Sequence, residues 1–358
     1  MKSFAWSRAV PHEDIRRIPA DGPVYVISDL HIGDGTRSDI FLAKDKDLLR
    51  FLAKVTAEGA TLVIAGDAID FSQAWAFNRV LKAHGKLFFA LRQLAEEGHL
   101  LYVYGNHDHD MRFYKDMLSF PVVAGVEVGN QVRIIHGHEL DPEIGPNLEE
   151  SELATMIHHL FERILRSWLR VPLELFYTRS NRLLFWVGHK ALLLKRLHGH
   201  LMKPIDGGAS LARAEAKAAY WIRSNMGDPG CLFRPAMACL DTQEQPVLIC
   251  GHSHLPGVVR RADGRIYANT GSWTFASASY LKWTPEDGPV VQDWLSGRVW
   301  NTELYEPLLR GDYDHKTIDD WWREHYMGLF RFRCGEERRG KVPPWKPTRT
   351  RTTPQAAP

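Results

Sequence analysis

The sequence contains few cysteines and no close pair of them. Cys231, Cys239, Cys250 and Cys334 lack a Cys-x-x-Cys spacing, which excludes the common thiolate metal sites. A chain of 358 residues can also bury enough apolar surface to fold without disulfide cross-links. The cysteine pattern therefore predicts a protein of a reducing compartment, and we expect it to be cytoplasmic.

Long apolar runs and an excess of one charge are missing as well. No stretch offers the roughly 18 uncharged apolar residues of a transmembrane helix, and residues 1–8 lack the apolar core of a secretion signal. Lys and Arg number 45 against 43 Asp and Glu, so the net charge of +2 decides nothing about partners. Near-neutral charge outside two basic segments, 153–200 and 331–358, does not favour a nucleic acid. We expect a soluble protein, at most peripheral to a membrane, with no nucleic-acid partner.

What the sequence does contain is a series of short apolar runs, each followed directly by a polar cluster. The runs are rich in branched and aromatic residues, which predicts buried strands at 24–28, 61–65, 100–104, 132–135 and 247–250. Helical spacing at 47–55 and from about 78 to 97 separates the first three runs, and this order is typical of a parallel α/β layer. Polar residues after such strands meet at one edge of the sheet, where ligands bind.

The polar clusters carry the ligand types of a metal site. They are Asp29-Leu30-His31, Gly66-Asp67-Ala68-Ile69-Asp70, Gly105-Asn106-His107-Asp108, His136-Gly137-His138-Glu139 and Gly251-His252-Ser253-His254. A single cluster of this kind is most often a surface loop or a helix cap, whereas five in succession predict a site. The predicted ligands are Asp29, His31, Asp67, Asn106, His136, His252 and His254.

These seven predicted ligands suit two divalent cations. Imidazole, carboxylate and amide oxygen form a borderline-to-hard set, which favours Mn, with Fe or Zn as alternatives. Seven ligands exceed the needs of one ion, whereas two ions about 3.5 to 4 Å apart that share a carboxylate would use them all. Such a pair makes hydroxide available near neutral pH and binds phosphate oxygens, so the set favours hydrolysis of a phosphate ester.

The order and separation of the five clusters resemble the calcineurin-like metallophosphoesterase superfamily over about 24–141 and 246–275. The resemblance implies a four-layer α/β/β/α sandwich of two mixed β-sheets, here with a helical insertion. It places Asp29, His31, Asp67 and His254 on one ion, and Asp67, Asn106, His136 and His252 on the second. It also implies that His107 assists the leaving group and that Asp108 orients His107. Asp70 would lie behind the ligands, and His138 is either a second such residue or a plain hydrogen-bonded histidine.

Within the superfamily, three features look most like the branch related to UDP-2,3-diacylglucosamine diphosphatase. They are His136-Gly137-His138-Glu139, Asn269-Thr270-Gly271-Ser272-Trp273 and a helical insertion before the last cluster. This resemblance implies a small phosphate ester or nucleotide-linked lipid as substrate, with peripheral membrane contact through the insertion. That branch typically carries Asn-Arg-Asp where this chain has Asn106-His107-Asp108, so the resemblance leaves the substrate open.

The composition and apolar pattern of the sequence predict four segments. Residues 1–22 form a lead-in, 23–141 and 246–330 the metallophosphoesterase domain, 142–245 a helical insertion or lid, and 331–358 a basic, proline-rich tail without stable order. In the insertion, apolar residues recur at spacings of 3 and 1 from Leu153 to Leu169, as in an amphipathic helix. This stripe faces either the core or a lipid.

Three alternative functions remain open on the sequence alone. A catalytically silent scaffold would keep the fold without turnover, but the complete ligand set and His107 argue against it. A nuclease of the same superfamily would need a long basic groove, which the balanced charge does not favour. A phosphomonoesterase differs from a diesterase or diphosphatase only in its substrate, and no motif separates them.

Overall fold

The computed structural model describes residues 14–35, 39–41, 44–74, 76–141, 179–216, 230–274 and 277–311. Each predicted apolar run forms a strand: β2 (Val24–Ile27), β3 (Thr61–Ala65), β4 (Leu100–Val103), β7 (Val132–Ile134) and β8 (Val247–Cys250). All their residues are buried apart from Thr61, because each strand is covered on both faces.

The strands form two mixed sheets. The remaining strands are β1 (Ile15–Ile18), β5 (Val122–Val123), β6 (Gly125–Val128), β9 (Gly257–Arg260), β10 (Ile266–Asn269), β11 (Ser279–Thr284), β12 (Gly288–Asp293) and β13 (Val299–Trp300). Sheet A has the order β1-β6-β7-β8-β10-β9, and sheet B the order β13-β12-β11-β2-β3-β4-β5. Strands β2 to β5 are parallel neighbours in sheet B, and β8 lies parallel to both β7 and β10 in sheet A.

Alternate side chains of each central strand enter different cores. In β2, Tyr25 and Ile27 pack towards the helices, whereas Val24 and Val26 pack between the sheets. In β8, Val247 and Ile249 join the same inter-sheet core from the opposite side. This period-two alternation with apolar residues on both faces is the pattern of a strand in a middle layer.

Helices cover the outer face of each sheet. The helices of the described residues are, in chain order, α1 (Asp45–Ala57), α2 (Phe71–Ala74), α3 (Phe77–Glu96), α4 (Met111–Leu118), α5 (Arg179–Asp206), α6 (209–216), α7 (Gly230–Thr242) and α8 (Glu306–Leu309). The apolar faces of α1, α3 and α4 join the core on sheet B, and that of α7 joins the core on sheet A. The four-layer α/β/β/α sandwich is therefore confirmed.

Two predicted boundaries differ from the structure. Residues 15–18, assigned to the lead-in, form β1 and pair in parallel with β6 at the edge of sheet A. Helix α7, assigned to the insertion, buries Leu232, Phe233, Ala236 and Leu240 against sheet A. It forms part of the outer layer of the sandwich. The sequence pattern did not indicate this, because α7 follows directly after the helical segment of the insertion.

The rest of the insertion is described only from 179 to 216. The predicted apolar helix from Leu153 to Leu169 and the tail from 331 lie outside the described residues. Within residues 179–216, the apolar run from Leu183 to Leu194 is part of helix α5. No helix in the part of the chain that the structure describes has both the length and the apolarity needed to cross a bilayer.

A buried histidine ties α3 to α1 and to the segment after the first cluster. His84 has non-helical angles inside α3 (φ −122°, ψ 25°), its Nδ1 lies 2.8 Å from Asp45 Oδ1, and its Nε2 lies 3.3 Å from Asp39 Oδ2. Burial alone would lower the pKa of His84, but hydrogen bonds to the two carboxylates raise it to about 9. His84 is therefore a cation at neutral pH.

This cation makes the stability of the fold depend on pH. Because the pKa of His84 is raised on folding, its contribution is fully present below about pH 6.5 and is lost as the pH rises through about 9. We expect the difference in unfolding free energy between wild type and His84→Gln to shrink by roughly 2 to 3 kcal/mol between pH 6.5 and 10. Urea denaturation of both proteins at the two pH values measures it. A constant difference would contradict the charged pair.

Candidate metal centre

The seven predicted ligands lie together where the strands of both sheets end. His31 Nε2 lies 3.2 Å from His254 Nε2 and 3.8 Å from Asp67 Oδ2. On the other side of Asp67, His136 Nε2 lies 3.3 Å from the same Oδ2 and 3.2 Å from Asn106 Oδ1. Loops from distant parts of the chain thus bring their nitrogen and oxygen atoms within a few ångströms of one another.

The backbone at the ligands is strained. Among non-glycine residues of the described ranges, positive φ angles occur at Asp29 (53°), His31 (47°), Asp67 (53°), Ser119 (59°), His252 (61°) and His254 (56°). Five of these six are predicted ligands. Left-handed conformations of non-glycine residues are costly and cluster at functional sites, so this distribution supports a built site rather than a chance gathering of polar loops.

Glycines leave the space that the carboxylates occupy. A Cβ at Gly105 would lie 2.2 Å from Asp67 Oδ1, and a Cβ at Gly251 would lie 2.5 Å from Asp29 Oδ2. Any other residue at these two positions would push the loops away from the carboxylates. The glycines of the third and fifth clusters are therefore required by close packing around the site.

Asp67 belongs to one group of ligands and faces a histidine of another. Asp29, His31 and His254 form one group whose ligand atoms all lie within 4.8 Å of one another, and Asp67, His136 and His252 form another. Asp67 Oδ2 faces a histidine nitrogen of each group. This arrangement matches the expected division into two ions with Asp67 between them.

The donor set fits cations better than it fits an internal hydrogen-bond network. Asp29 Oδ1 is buried and has no hydrogen-bond donor, although His254 Nε2 lies 3.0 Å away, because that contact lacks hydrogen-bond geometry. A buried carboxylate oxygen without a donor is costly. Two nitrogen atoms and a carboxylate oxygen that point at a common space form the first coordination shell of a cation.

Burial and charge act in opposite directions on the histidines. Burial lowers the pKa of His31 to about 4, so this ring is neutral and has a lone pair available. Burial also favours the neutral form of His136, but the charge of Asp67 raises its pKa to about 10. Burial opposes ionisation of Asp67, yet His136 and His107 hold its pKa well below the usual range. Binding of a cation at His136 therefore releases a proton.

Two ligand histidines are held from behind. His31 Nδ1 lies 3.2 Å from Asp70 Oδ2, and His136 Nδ1 lies 2.8 Å from the carbonyl oxygen of Ala65. When Nδ1 donates such a hydrogen bond, Nε2 is the lone-pair atom of the neutral ring, and Nε2 is the nitrogen that faces Asp67 in both histidines. Asp70 therefore has the supporting place predicted for it.

The proposed catalytic histidine is supported by Asp70, and the expectation that Asp108 orients it is wrong. His107 Nδ1 lies 3.4 Å from Asp70 Oδ1, and the His107 ring lies edge-on to that of His31 at 4.8 Å between centroids. Asp108 makes no hydrogen bond with His107, because its side chain turns back into the fold. Asp70 thus contacts His31 and His107 with its two oxygens.

Asp108 instead holds two loops together. Its carboxylate accepts hydrogen bonds from the backbone N–H groups of Gly105, Ala68 and Ile69 and from the hydroxyl of Tyr102. Burial and the nearby charge of Asp67 raise the pKa of Asp108 to about 6. The cluster after β3 and the cluster after β4 are therefore fixed against each other by this one side chain.

This role predicts a stability defect rather than a purely catalytic one. Asp108→Ala leaves three backbone N–H groups and a tyrosine hydroxyl without their acceptor, which costs about 3 to 5 kcal/mol of unfolding free energy. Asp108→Asn keeps one acceptor oxygen and should cost less. Chemical denaturation of both variants measures the loss. An Asp108→Ala protein as stable as wild type would contradict the role of Asp108 in holding the two loops together.

Sequence reasoning missed part of the support around Asp29. Ser28 Oγ donates to Asp29 Oδ2 and lies 2.5 Å from Thr270 Oγ1, and the backbone N–H of Trp273 donates to the Asp29 carbonyl. The sequence signal was present, since Thr270 and Trp273 belong to a motif used only for the resemblance. His138 is buried, with its ring 5.4 Å from that of His136.

Comparison with known proteins identifies the family of the chain. Residues 22–256, more than half of the chain, match the family model of calcineurin-like phosphoesterases. The fold and the paired ligand groups are those of a metal-dependent phosphoric ester hydrolase. The chain belongs to the calcineurin-like phosphoesterase family.

Solved structures resemble the chain at low identity. A single mutant of Vps29 from Entamoeba histolytica is 15% identical, with 77% of this chain and 95% of that chain covered and a TM-score of 0.33. A dimetal phosphatase from Danio rerio is 13% identical (76% and 95% covered, TM-score 0.35). A cold-active protein-tyrosine phosphatase of a psychrophilic Shewanella species is also 13% identical (80% and 81% covered, TM-score 0.35). No curated protein matches the sequence significantly.

Proposed function

We propose that the protein hydrolyses a phosphodiester or pyrophosphate bond with two cations held by the seven predicted ligands. The observation that carries this proposal is the position of Asp67 between two ligand groups, with His107 beside them. When bound, such a pair of cations supplies an activated water and a clamp on the phosphate oxygens. The mixed nitrogen and oxygen ligands favour Mn, with Fe or Zn as alternatives.

The chain's own residues supply orientation and a proton. Asp70 holds His107 through Nδ1, which leaves Nε2 as the ring atom that can protonate the leaving oxygen. The His107 side chain is 14% exposed, more than those of Asp29, His31, Asp67 and His136, so it lies on the open side of the site. A substrate approaching from that side would meet the acid and the ligand groups together.

The bond class is tested with matched chromogenic esters. Purified protein, stripped of metal and reloaded with Mn²⁺, Fe²⁺ or Zn²⁺, is assayed on bis-p-nitrophenyl phosphate, on p-nitrophenyl phosphate and on a nucleoside diphosphate sugar. We expect turnover of the diester or the diphosphate to exceed that of the monoester. Faster turnover of the monoester would identify a phosphomonoesterase, and no turnover with any metal would favour the catalytically silent scaffold.

A nucleotide-linked lipid is the substrate class that the exterior of α5 favours. Leu194, Leu197, Leu201 and Ile205 recur at spacings of 3, 4 and 4 and are between 56% and 77% exposed. Residues 179–205 contain no Asp or Glu, and the exposed Lys190, Lys195 and Lys203 lie along the same helix. An exposed apolar stripe with basic neighbours suits the surface of an anionic bilayer. It would bring the enzyme to a substrate that has acyl chains.

Vesicle binding tests this part of the proposal. Wild type should sediment with vesicles that contain phosphatidylglycerol and not with pure phosphatidylcholine vesicles, and Leu197→Ser with Leu201→Ser should abolish the binding. The matched control is Phe89→Ser, which removes an exposed apolar side chain of α3. Binding that survives the double substitution, or a dimer that depends on the leucines in place of vesicle binding, would exclude the lipid surface.

A further inference from the structure

Asp141 lies against a ligand histidine, although no motif of the sequence includes it. Its Oδ2 lies 3.2 Å from His252 Nε2, and both side chains are at least nine-tenths buried. The backbone of His252 is held as well, because its N–H donates to Asp29 Oδ2 at 3.0 Å. His252 is therefore fixed by one carboxylate at the main chain and by another at the ring.

The contact decides which ring nitrogen of His252 carries the lone pair. With Nε2 donating to Asp141, Nδ1 is the lone-pair atom of the neutral ring. His31 and His136 have the opposite arrangement, since their Nδ1 atoms are held and their Nε2 atoms face Asp67. In His31 and His136, the supporting group therefore stands on the far side of the ring from the nitrogen that faces Asp67.

Local structure explains why Asp141 reaches this place. A 3₁₀ turn at His138–Leu140 follows directly after His136 and Gly137, and Asp141 ends it by donating its N–H to the His138 carbonyl at 3.1 Å. The loop that contributes His136 therefore also contributes the support for His252, which comes from the loop after β8. The two ligands are coupled through this short stretch of chain.

We propose that Asp141 is a positioning residue that selects the Nδ1 atom of His252 as ligand of the cation shared with Asp67 and His136. This rests on the proposed two-cation function. Removal of a carboxylate behind a ligand histidine weakens metal affinity by about 10- to 100-fold. In Asp141→Ala, we expect the affinity for one of the two Mn²⁺ ions to fall by that factor. The affinity for the other ion should stay unchanged.

Calorimetric titration with Mn²⁺ measures both affinities, and nitrogen NMR of the ring reports the tautomer. In the metal-free wild type at a pH where the ring is neutral, His252 should be protonated at Nε2, and this preference should be lost in Asp141→Ala. Asp141→Asn keeps an acceptor oxygen but loses the charge. Its Mn²⁺ affinity and its His252 tautomer preference should therefore lie between those of wild type and Asp141→Ala. It also serves if the alanine variant does not fold.

The matched control is Asp39→Ala, which removes a carboxylate from a buried histidine contact outside the site. It should leave both Mn²⁺ affinities unchanged. The proposal would be overturned if Asp141→Ala lowered both Mn²⁺ affinities equally or left both unchanged. It would also be overturned if the neutral His252 ring of the wild type were protonated at Nδ1. Failure of the proposed function would give a different result. A protein that binds two ions with the expected His252 tautomer but has no turnover would refute the reaction and leave the role of Asp141 intact.

Discussion

Replacement of Asp67 by asparagine is expected to abolish turnover and to reduce metal content from two ions to one or none. Asp67 Oδ2 faces His31 Nε2 at 3.8 Å and His136 Nε2 at 3.3 Å, so its charge serves both ligand groups. Shared-carboxylate sites stabilise transition-state charge by several kcal/mol, which corresponds to a loss of roughly 10³-fold or more in kcat/KM. Asparagine keeps the shape and loses the charge.

Metal analysis and steady-state kinetics on the same preparations measure the effect of Asp67→Asn. Asp263→Asn is the control, because it makes the same change at an exposed turn. The backbone N–H of His107 donates to Asp67 Oδ1 at 2.8 Å, so far-UV circular dichroism should verify that the loop is retained. An Asp67→Asn protein with two ions and wild-type turnover would rule out the shared carboxylate.

The second large effect is expected at His107 and should depend on the leaving group. His107→Ala removes the proposed proton donor but none of the seven predicted ligands, so both ions should stay bound. Loss of a general acid lowers kcat by about 10² to 10⁴-fold for a poor leaving group such as an alkoxide or sugar. A p-nitrophenolate leaving group needs little protonation, so turnover of its ester should fall much less.

The test of His107 is the ratio between the loss of kcat on the poor leaving group and the loss of kcat on the p-nitrophenyl ester. Asp70→Asn is the companion variant, because Asp70 contacts both His107 and His31. It should reduce turnover on the poor leaving group and also weaken metal binding, unlike His107→Ala. Loss of metal from His107→Ala, or an equal loss of turnover on both esters, would contradict the role as acid.

The sequence was sufficient to predict the strands that carry the site. Apolar runs covered on both faces have a strong signal, and β2, β3, β4, β7 and β8 all form where it predicted them. The polar clusters after them could be placed at one edge because parallel strands end on the same side. For the same reason, the structure brings the seven predicted ligands together.

What the sequence could not decide was which neighbour each polar side chain contacts. Asp108 is adjacent to His107 in the chain, but its carboxylate binds backbone N–H groups of two loops, and Asp70 from another loop supports the histidine. Asp141 was taken only as a domain boundary, because a lone aspartate after a turn carries no signal. Helix α7 was assigned to the insertion, because a short helix does not reveal which sheet it covers.

The left-handed backbone at five ligands restricts how this site can change over generations. Asp, Asn and His are the non-glycine residues that enter that conformation most readily, and they are also cation ligands. Conformation and coordination therefore select the same few side chains. A descendant that gave up catalysis would still need, at these places, residues that tolerate a left-handed backbone, because a branched side chain there would damage folding itself.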